Sequence, residues 1–273
     1  MKKSRSKKKM LQYKMIKNIL RALKDYTGSF KLMTQLGLWK YFMVPMGISF
    51  LFAVLIGFTA YGLSDNVASV LTSLWVWETG SEAFFAFAEI LSAILIVILG
   101  LLIYKHFVMA MSAPFMSPVS EKIEKHLYPD LQSSITHRDT SYSAQLYRGI
   151  RINVRNLFFE LLLTLPLLVL SLIPVVGIVF WIIGFLVQSY YAGFGNMDYT
   201  LERHFKYRES VDFVKSNRGY AIGNGIVFNA MLLIPVIGII LVLPVSVTAA
   251  SKTTLELLSE QKLLTDPATN IIV

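Results

Sequence analysis

The chain has 273 residues, 55% of them hydrophobic and only 16% charged, with a mean hydropathy of +0.56. A soluble domain carries about 25% charged residues, so this deficit excludes an ordinary water-soluble fold and assigns much of the chain to lipid. The net charge is +9, and the absence of cysteine excludes disulfides, thiol nucleophiles and thiolate-held zinc or iron–sulfur centres.

Residues Met1 to Lys9 hold Lys2, Lys3, Arg5, Lys7, Lys8 and Lys9. No apolar core follows directly, so the cluster reads as a solvated tail rather than a cleaved signal. Without aromatic interleaving or a binding fold, it does not read as a nucleic-acid arm. Met10 to Tyr26 is expected to be a basic amphipathic helix. Ile16, Ile19, Leu20 and Leu23 share helical spacing, and Lys14, Lys17, Arg21 and Lys24 lie around them. It suits an anionic membrane surface or a docking site on the rest of the chain.

The first apolar block, Tyr41 to Leu63, has no charge across 23 residues. At about 1.5 Å per residue it crosses a bilayer. Trp39, Tyr41 and Tyr61 suit its interfaces. The second block, Ala83 to Met111, carries only Glu89 and Lys105 and also spans. The loop between them holds Asp65, Glu78 and Glu82, with Trp75 and Trp77, and no base. Residues 1–40 hold twelve Lys and Arg against one Asp. The positive-inside rule therefore places both termini in the cytoplasm and the Trp75/Trp77 loop outside.

Blocks three and four, Leu157 to Val187 and Gly223 to Ala250, share a seven-residue repeat at an offset of 61: Leu172-Ile173-Pro174-Val175-Val176-Gly177-Ile178 and Leu233-Ile234-Pro235-Val236-Ile237-Gly238-Ile239. A residue before proline is driven out of the α region, so each Ile-Pro is expected to break its helix. Each half is then roughly 10–16 residues, the length of a re-entrant segment. Re-entrant blocks keep the basic stretches 112–156 and 188–222 on one side. The alternative is two kinked full crossings.

Chemistry-bearing motifs are sparse. His106, His126, His137 and His204 form no metal-ligand pair, and there is no nucleophile elbow, phosphate loop or dinucleotide fingerprint. The chain is therefore not expected to be an enzyme or to hold a cofactor or metal. Glu121, Glu124, Asp198, Glu202, Glu209 and Asp212 alternate with bases and read as solvated faces and ion pairs. His106 and His204 read as interfacial, Glu160 as a partner of Arg155, and Glu89 as a headgroup-reaching or paired acid. Gly219-Tyr220-Ala221-Ile222-Gly223 offers a surface to which a helix can come close. The broken hairpins place helix N-termini, with free N–H groups, at depth. Pro174, Gly177, Pro235 and Gly238 are thus candidate hairpin-tip or pore residues.

Three stretches resemble the CysZ family of bacterial inner-membrane sulfate permeases, relatives of the etoposide-induced membrane proteins. They are Ser112-Ala113-Pro114-Phe115 with Glu121-Lys122-Ile123-Glu124; Asp198-Tyr199 through Arg203-His204 to Phe205 and Arg208; and Gly223 through Pro235 and Pro244 to Thr248-Ala249-Ala250. The resemblance covers most of residues 28–258. It leaves 1–27 as basic tail and amphipathic helix and 259–273 as a C-terminal tail. It implies an all-α integral membrane protein with two long transmembrane helices, two hemi-penetrating hairpins, a cytoplasmic helical portion and a homo-oligomeric state. It also implies uptake of sulfate or a related oxyanion for sulfur assimilation, with membrane lipids as surroundings. The family's G-L-R anion segment corresponds to Gly37-Leu38-Trp39-Lys40, so Gly37, Leu38, Trp39 and Lys40 are candidate anion ligands. Trp39 takes the arginine position, and Met116 stands where an asparagine is common. The other reading is a non-transporting membrane scaffold that organises lipids or partners.

Overall fold

A computed structural model describes residues 2–73, 81–129, 141–171, 173–234 and 236–265. Trp75, Trp77, Glu78 and Pro235 lie outside these. The described elements are helices: α1 (Lys2–Lys24), α2 (Ser29–Gln35), α3 (Trp39–Thr72), α4 (Ser81–Leu127), α5 (Tyr142–Leu170), α6 (Gly177–His204), α7 (Tyr207–Ser216), α8 (Arg218–Leu232) and α9 (Ile237–Thr265). Five segments are long and apolar enough to cross a membrane: Trp39–Leu63, Ile96–Leu127, Tyr142–Leu170, Gly177–His204 and Ile237–Gln261.

The short helix α2 is closed by a Schellman turn. Leu38 N–H donates to Met33 C=O at 2.9 Å and Gly37 N–H to Thr34 C=O at 3.2 Å. Gly37 takes φ +61, which suits a residue without Cβ. Leu38 follows as its fully buried apolar contact. Helices α3 and α4 then form a long pair. Apolar residues of α3, among them Phe50, Leu51 and Phe58, face outward, while α9 is the most enclosed long helix. Pro45, Pro114, Pro118, Pro166 and Pro244 all lie within helices.

Both repeats end a helix and begin another. Helix α5 stops at Leu170 and α6 opens at Gly177; α8 stops at Leu232 and α9 opens at Ile237. The turns share a backbone: Val175 at φ 69 and Val236 at φ 62, with Gly177 N–H donating to Ile173 C=O and Gly238 N–H to Ile234 C=O. A β-branched residue at positive φ is disfavoured, so the same strained valine at the same repeat position marks one device used twice. Amides that the sequence pattern left free at these helix starts, those of Val176, Gly177, Val179, Gly238 and Ile240, are bonded within the turns.

The helix halves are longer than expected. Apart from α8, with 15 residues, the hairpin helices run to 28 or 29 residues rather than 10–16. The apolar block marks where side chains tolerate lipid, not where the helix ends. Helix α6 continues past Val187 as a buried segment, with residues 191–203 packed inside protein. Helix α4 likewise runs past Met111 to Leu127.

Helices α6 and α8 touch backbone to backbone. A Cβ at Gly193 would lie 1.9 Å from Ala221 O, and one at Gly225 would lie 1.7 Å from Ser189 O. The glycine-spaced face of α8 accepts α1. A Cβ at Gly223 would meet Ile19 O at 2.5 Å, and one at Gly219 would meet Asn18 Cβ and Met15 O at 2.9 Å. Further bonds hold this docking. Arg21 pairs with Glu256 and Glu260, Lys252 Nζ donates to Asp25 O at 2.9 Å, and Tyr26 Oη bonds Asn224 O at 2.7 Å and Ser246 Oγ at 2.9 Å. Burial holds the Tyr26 phenol well above its ordinary range, so it stays protonated. Helix α1 is therefore both docked and amphipathic, with Tyr13, Ile16 and Leu20 left exposed.

The α6–α8 contact leaves no room for a side chain. Gly193→Leu is expected to destabilise the protein by about 3 kcal/mol or more, seen as a lowered thermal midpoint and loss of a monodisperse peak in detergent. Gly57→Leu, at a position with no neighbour within 4 Å of the new Cβ, should leave both unchanged.

Candidate functional site

Two cavities and three buried ion clusters stand out among the described residues. The first cavity, about 590 Å³, lies where the α2–α3 turn meets the end of α4. It is lined by Leu36, Tyr41, Pro118, Glu121, Lys122, Lys125 and His126. Lys40 and Lys122 approach the Tyr41 ring, at 5.2 and 5.4 Å from its centroid, so two cations share one aromatic ring.

The four residues singled out here occupy distinct positions. Gly37 and Leu38 make the Schellman turn. Trp39 donates its indole N–H to Thr34 Oγ1 at 3.2 Å, so its one polar group is already engaged. Lys40 is left with its ammonium beside the cavity. Lys122, Lys125 and His126 were not singled out from the sequence. Their spacing on the last turns of α4 was legible, but the approach of that helix to residue 40 was not.

The second cavity, about 290 Å³, lies between α4, α5, α6 and α8. Ser171 and Leu233 at the two hairpin tips both line it, so the tips are neighbours. It deepens past Trp181 and Leu102 to a polar end made by Lys105, Thr164, Gln188 and Asn229. Gly177 and Pro174 stay in the first turn, the former needed because its Cβ would fall 2.1 Å from Ser171 O. Gly238 does the same against Met231 O, at 1.8 Å.

Behind the polar end is the first ion cluster. Lys105 Nζ lies 2.5 Å from Glu160 Oε1, and His106 Nε2 lies 2.8 Å from Glu160 Oε2. All three side chains are at most 2% exposed. Glu160 therefore does not pair with Arg155. Residues five apart fall on different helix faces, and Arg155 instead bonds Asn156 and lies over Phe159 and Phe194. His106 is buried rather than interfacial. Glu89 is exposed on α4.

The second cluster joins α5 to α6 and α7. Arg148 holds Asp198 with two parallel bonds, at 2.9 and 3.1 Å, and also donates to Phe205 O at 2.7 Å and Ser210 Oγ at 2.6 Å. The third joins α4 to the end of α6: Glu124 takes Arg203, and His204 Nε2 lies 3.2 Å from the same carboxylate. Glu124, Asp198 and Glu202 are thus buried, not solvated. Asp212 does remain exposed, 4.0 Å from Lys215. A binary reading of charge as surface misses such pairs because burial is decided by the partner helix. Among the described residues no group of histidines and acids is placed to hold a metal.

The first cavity thus gathers Lys122, Lys125 and His126 around Glu121 and Tyr41, and the second is an apolar space with Lys105 at its polar end. A family model described as Sulfate transporter CysZ/Etoposide-induced protein 2.4 matches residues 26–242. Two curated relatives carry the name Sulfate transporter CysZ. The one from Pseudomonas paraeruginosa strain PA7 is 26% identical over 235 residues, covering 83% of this chain and 92% of that protein. The one from Pseudomonas aeruginosa strain LESB58 is 28% identical over 238 residues, with the same coverage. These relatives are named as transporters, not enzymes.

Arg148 carries the second cluster. Arg148→Ala leaves Asp198 buried without its partner and is expected to cost about 3–5 kcal/mol, read as a fall in thermal midpoint. Adding Asp198→Asn should restore part of that loss.

Proposed function

The chain belongs to the Sulfate transporter CysZ/Etoposide-induced protein 2.4 family, and we propose that it is a permease for sulfate or a related oxyanion. It is a multi-pass helical membrane protein. The observation that carries the reading is the cavity bounded by Tyr41, Lys122, Lys125 and His126 beside Lys40. It lies at the segment that stands in the place of the family's anion motif. Trp39 replaces the arginine of that motif, and Lys122 and Lys125 supply positive charge from α4 instead. Ammonium groups act as point charges rather than bidentate forks, so they suit a site that gathers anions and releases them. Gly37 and Leu38 serve by fixing the turn that aims the start of α3 at the cavity.

In this reading α3 and α4 cross the bilayer, and the α5–α6 and α8–α9 hairpins enter it from the cytoplasmic side with their tips together. Both termini and the basic stretches share the cytoplasmic side of the bacterial inner membrane. The exposed apolar residues of α3 and of the tips face lipid or further copies of the chain. The imported anion feeds sulfur assimilation. Residues 28–258 form the transporting unit. The scaffold reading rests on the chain's low identity to the named transporters.

Purified protein in liposomes should pass labelled sulfate faster than empty vesicles. Lys122→Ala and Lys125→Ala, and Lys40→Ala beside them, should each raise the half-saturating concentration about ten- to a hundredfold, the loss of one interaction worth about 1.5–3 kcal/mol. Flux at background for sulfate, sulfite, thiosulfate and phosphate would replace the permease with the scaffold. The lack of cysteine makes topology direct to measure. An impermeant thiol reagent applied to intact cells should label Ser73→Cys but neither Asp212→Cys nor Glu260→Cys; labelling at 212 would favour full crossings over hairpins.

A further inference from the structure

The hydrogen bonds around His106 fix a proton that the sequence does not show. Asn153 Nδ2 donates to Gly149 O at 2.9 Å, so Asn153 turns its carbonyl Oδ1 toward His106 Nδ1, 3.3 Å away. Nδ1 therefore carries hydrogen. On the other side of the ring, Nε2 lies 2.8 Å from Glu160 Oε2. Two lone pairs do not face each other at that distance, so a second proton sits between them, on the imidazole or on the carboxyl. In either arrangement the His106–Glu160 pair is neutral as a whole. Lys105, beside Glu160 Oε1, is then a net positive charge in a buried cluster.

Lys105 also lines the 290 Å³ cavity, and so does Thr164. The Thr164 hydroxyl is buried and has no hydrogen-bond partner, although a buried hydroxyl normally finds one. Asn229 lines the same end and gives one amide hydrogen to Ser189 Oγ at 3.2 Å, leaving the other. The Lys105 ammonium, which shares Glu160 with His106 and donates to Gln188 O at 3.4 Å, an unpartnered hydroxyl and an amide N–H line one space large enough for a tetrahedral oxyanion. The walls toward the tips are apolar, so a bound anion meets few further donors there and is not held permanently.

We propose that Lys105, Thr164 and Asn229 form a second oxyanion site, deep among the helices and separate from the Lys40–Lys122 cavity. The identity of the ligand class rests on the permease reading; the charge of the cluster does not. The test is equilibrium binding of labelled sulfate to the full chain in nanodiscs, run alongside liposome flux. The wild type should bind two sulfates per chain. The variant Lys105→Met with Glu160→Gln removes both charges together, keeps a hydrogen-bond partner for His106 Nε2, and should bind one. Thr164→Val should weaken the second site about tenfold while keeping the thermal midpoint, because the hydroxyl has no protein bond to lose. Two bound sulfates in the double variant, or an unchanged second site in Thr164→Val, would overturn the proposal. A single wild-type site abolished by Lys122→Ala would do so as well. Two-site binding without flux would sink the permease reading and leave this site standing.

Discussion

Helix α4 carries three charged or ionisable groups, Lys105, His106 and Glu124, into the interior. Each takes its partner from the first hairpin: Glu160 on α5, and Arg203 and His204 on α6. A buried charge without a partner costs several kcal/mol, so the long pair and the hairpin cannot assemble in another register without stranding at least one of these groups. The second ion cluster, Arg148 with Asp198, then closes the hairpin's polar end on itself and on α7. These pairs matter less as net stabilisation than as a specification of which helix meets which, in surroundings where apolar packing alone discriminates little.

Packing follows from that register. Tyr199 Oη reaches Met109 O at 2.7 Å, and Ser120 Oγ reaches Tyr199 O at 3.2 Å, which locks α4 against α6. The α6–α8 contact is then drawn to backbone distance by glycines. Helix α9 fills the centre, with a buried run of Val245, Val247, Ala249 and Ala250. The outside of the assembly keeps the opposite chemistry: apolar α3 and apolar tips at one level, lysine-rich α1 and the end of α4 at another. The cavity at the end of α4 is lined by Lys122, Lys125 and His126, and the one between the hairpins by apolar walls and Lys105.

The repeated Leu-Ile-Pro-Val-x-Gly-Ile motif shows why a transporter-like chain would keep strained turns. Valine at positive φ costs about 1–3 kcal/mol at each tip, yet it lets both chains reverse within a few residues. The turns bond several of their own amides, those of Val176, Gly177 and Gly238 among them. The cavity between the hairpins is lined by the polar groups of Lys105, Thr164, Gln188 and Asn229, and by Ser171 at the tip.

By itself the sequence determined the membrane class, the two long apolar helices, the paired helix breaks and the glycine face that accepts a helix, because hydrophobicity, proline and glycine act locally and leave a local trace. It also marked the Gly37–Lys40 segment by resemblance, though not that Gly37 and Leu38 serve a Schellman turn or that the Trp39 indole is engaged by Thr34. Helix ends were misjudged where apolar blocks stopped, since α6 continues as a helix buried in protein instead of lipid. Only the tertiary structure decided the partners of Glu160, Glu124 and Asp198, the convergence of Lys122 and Lys125 on the start of α3, and the proton held between His106 and Glu160. The ion pairs and hydrogen bonds among those facts join groups 50 or more residues apart in the chain at under 4 Å. No periodicity within a helix encodes which face of another helix it will meet.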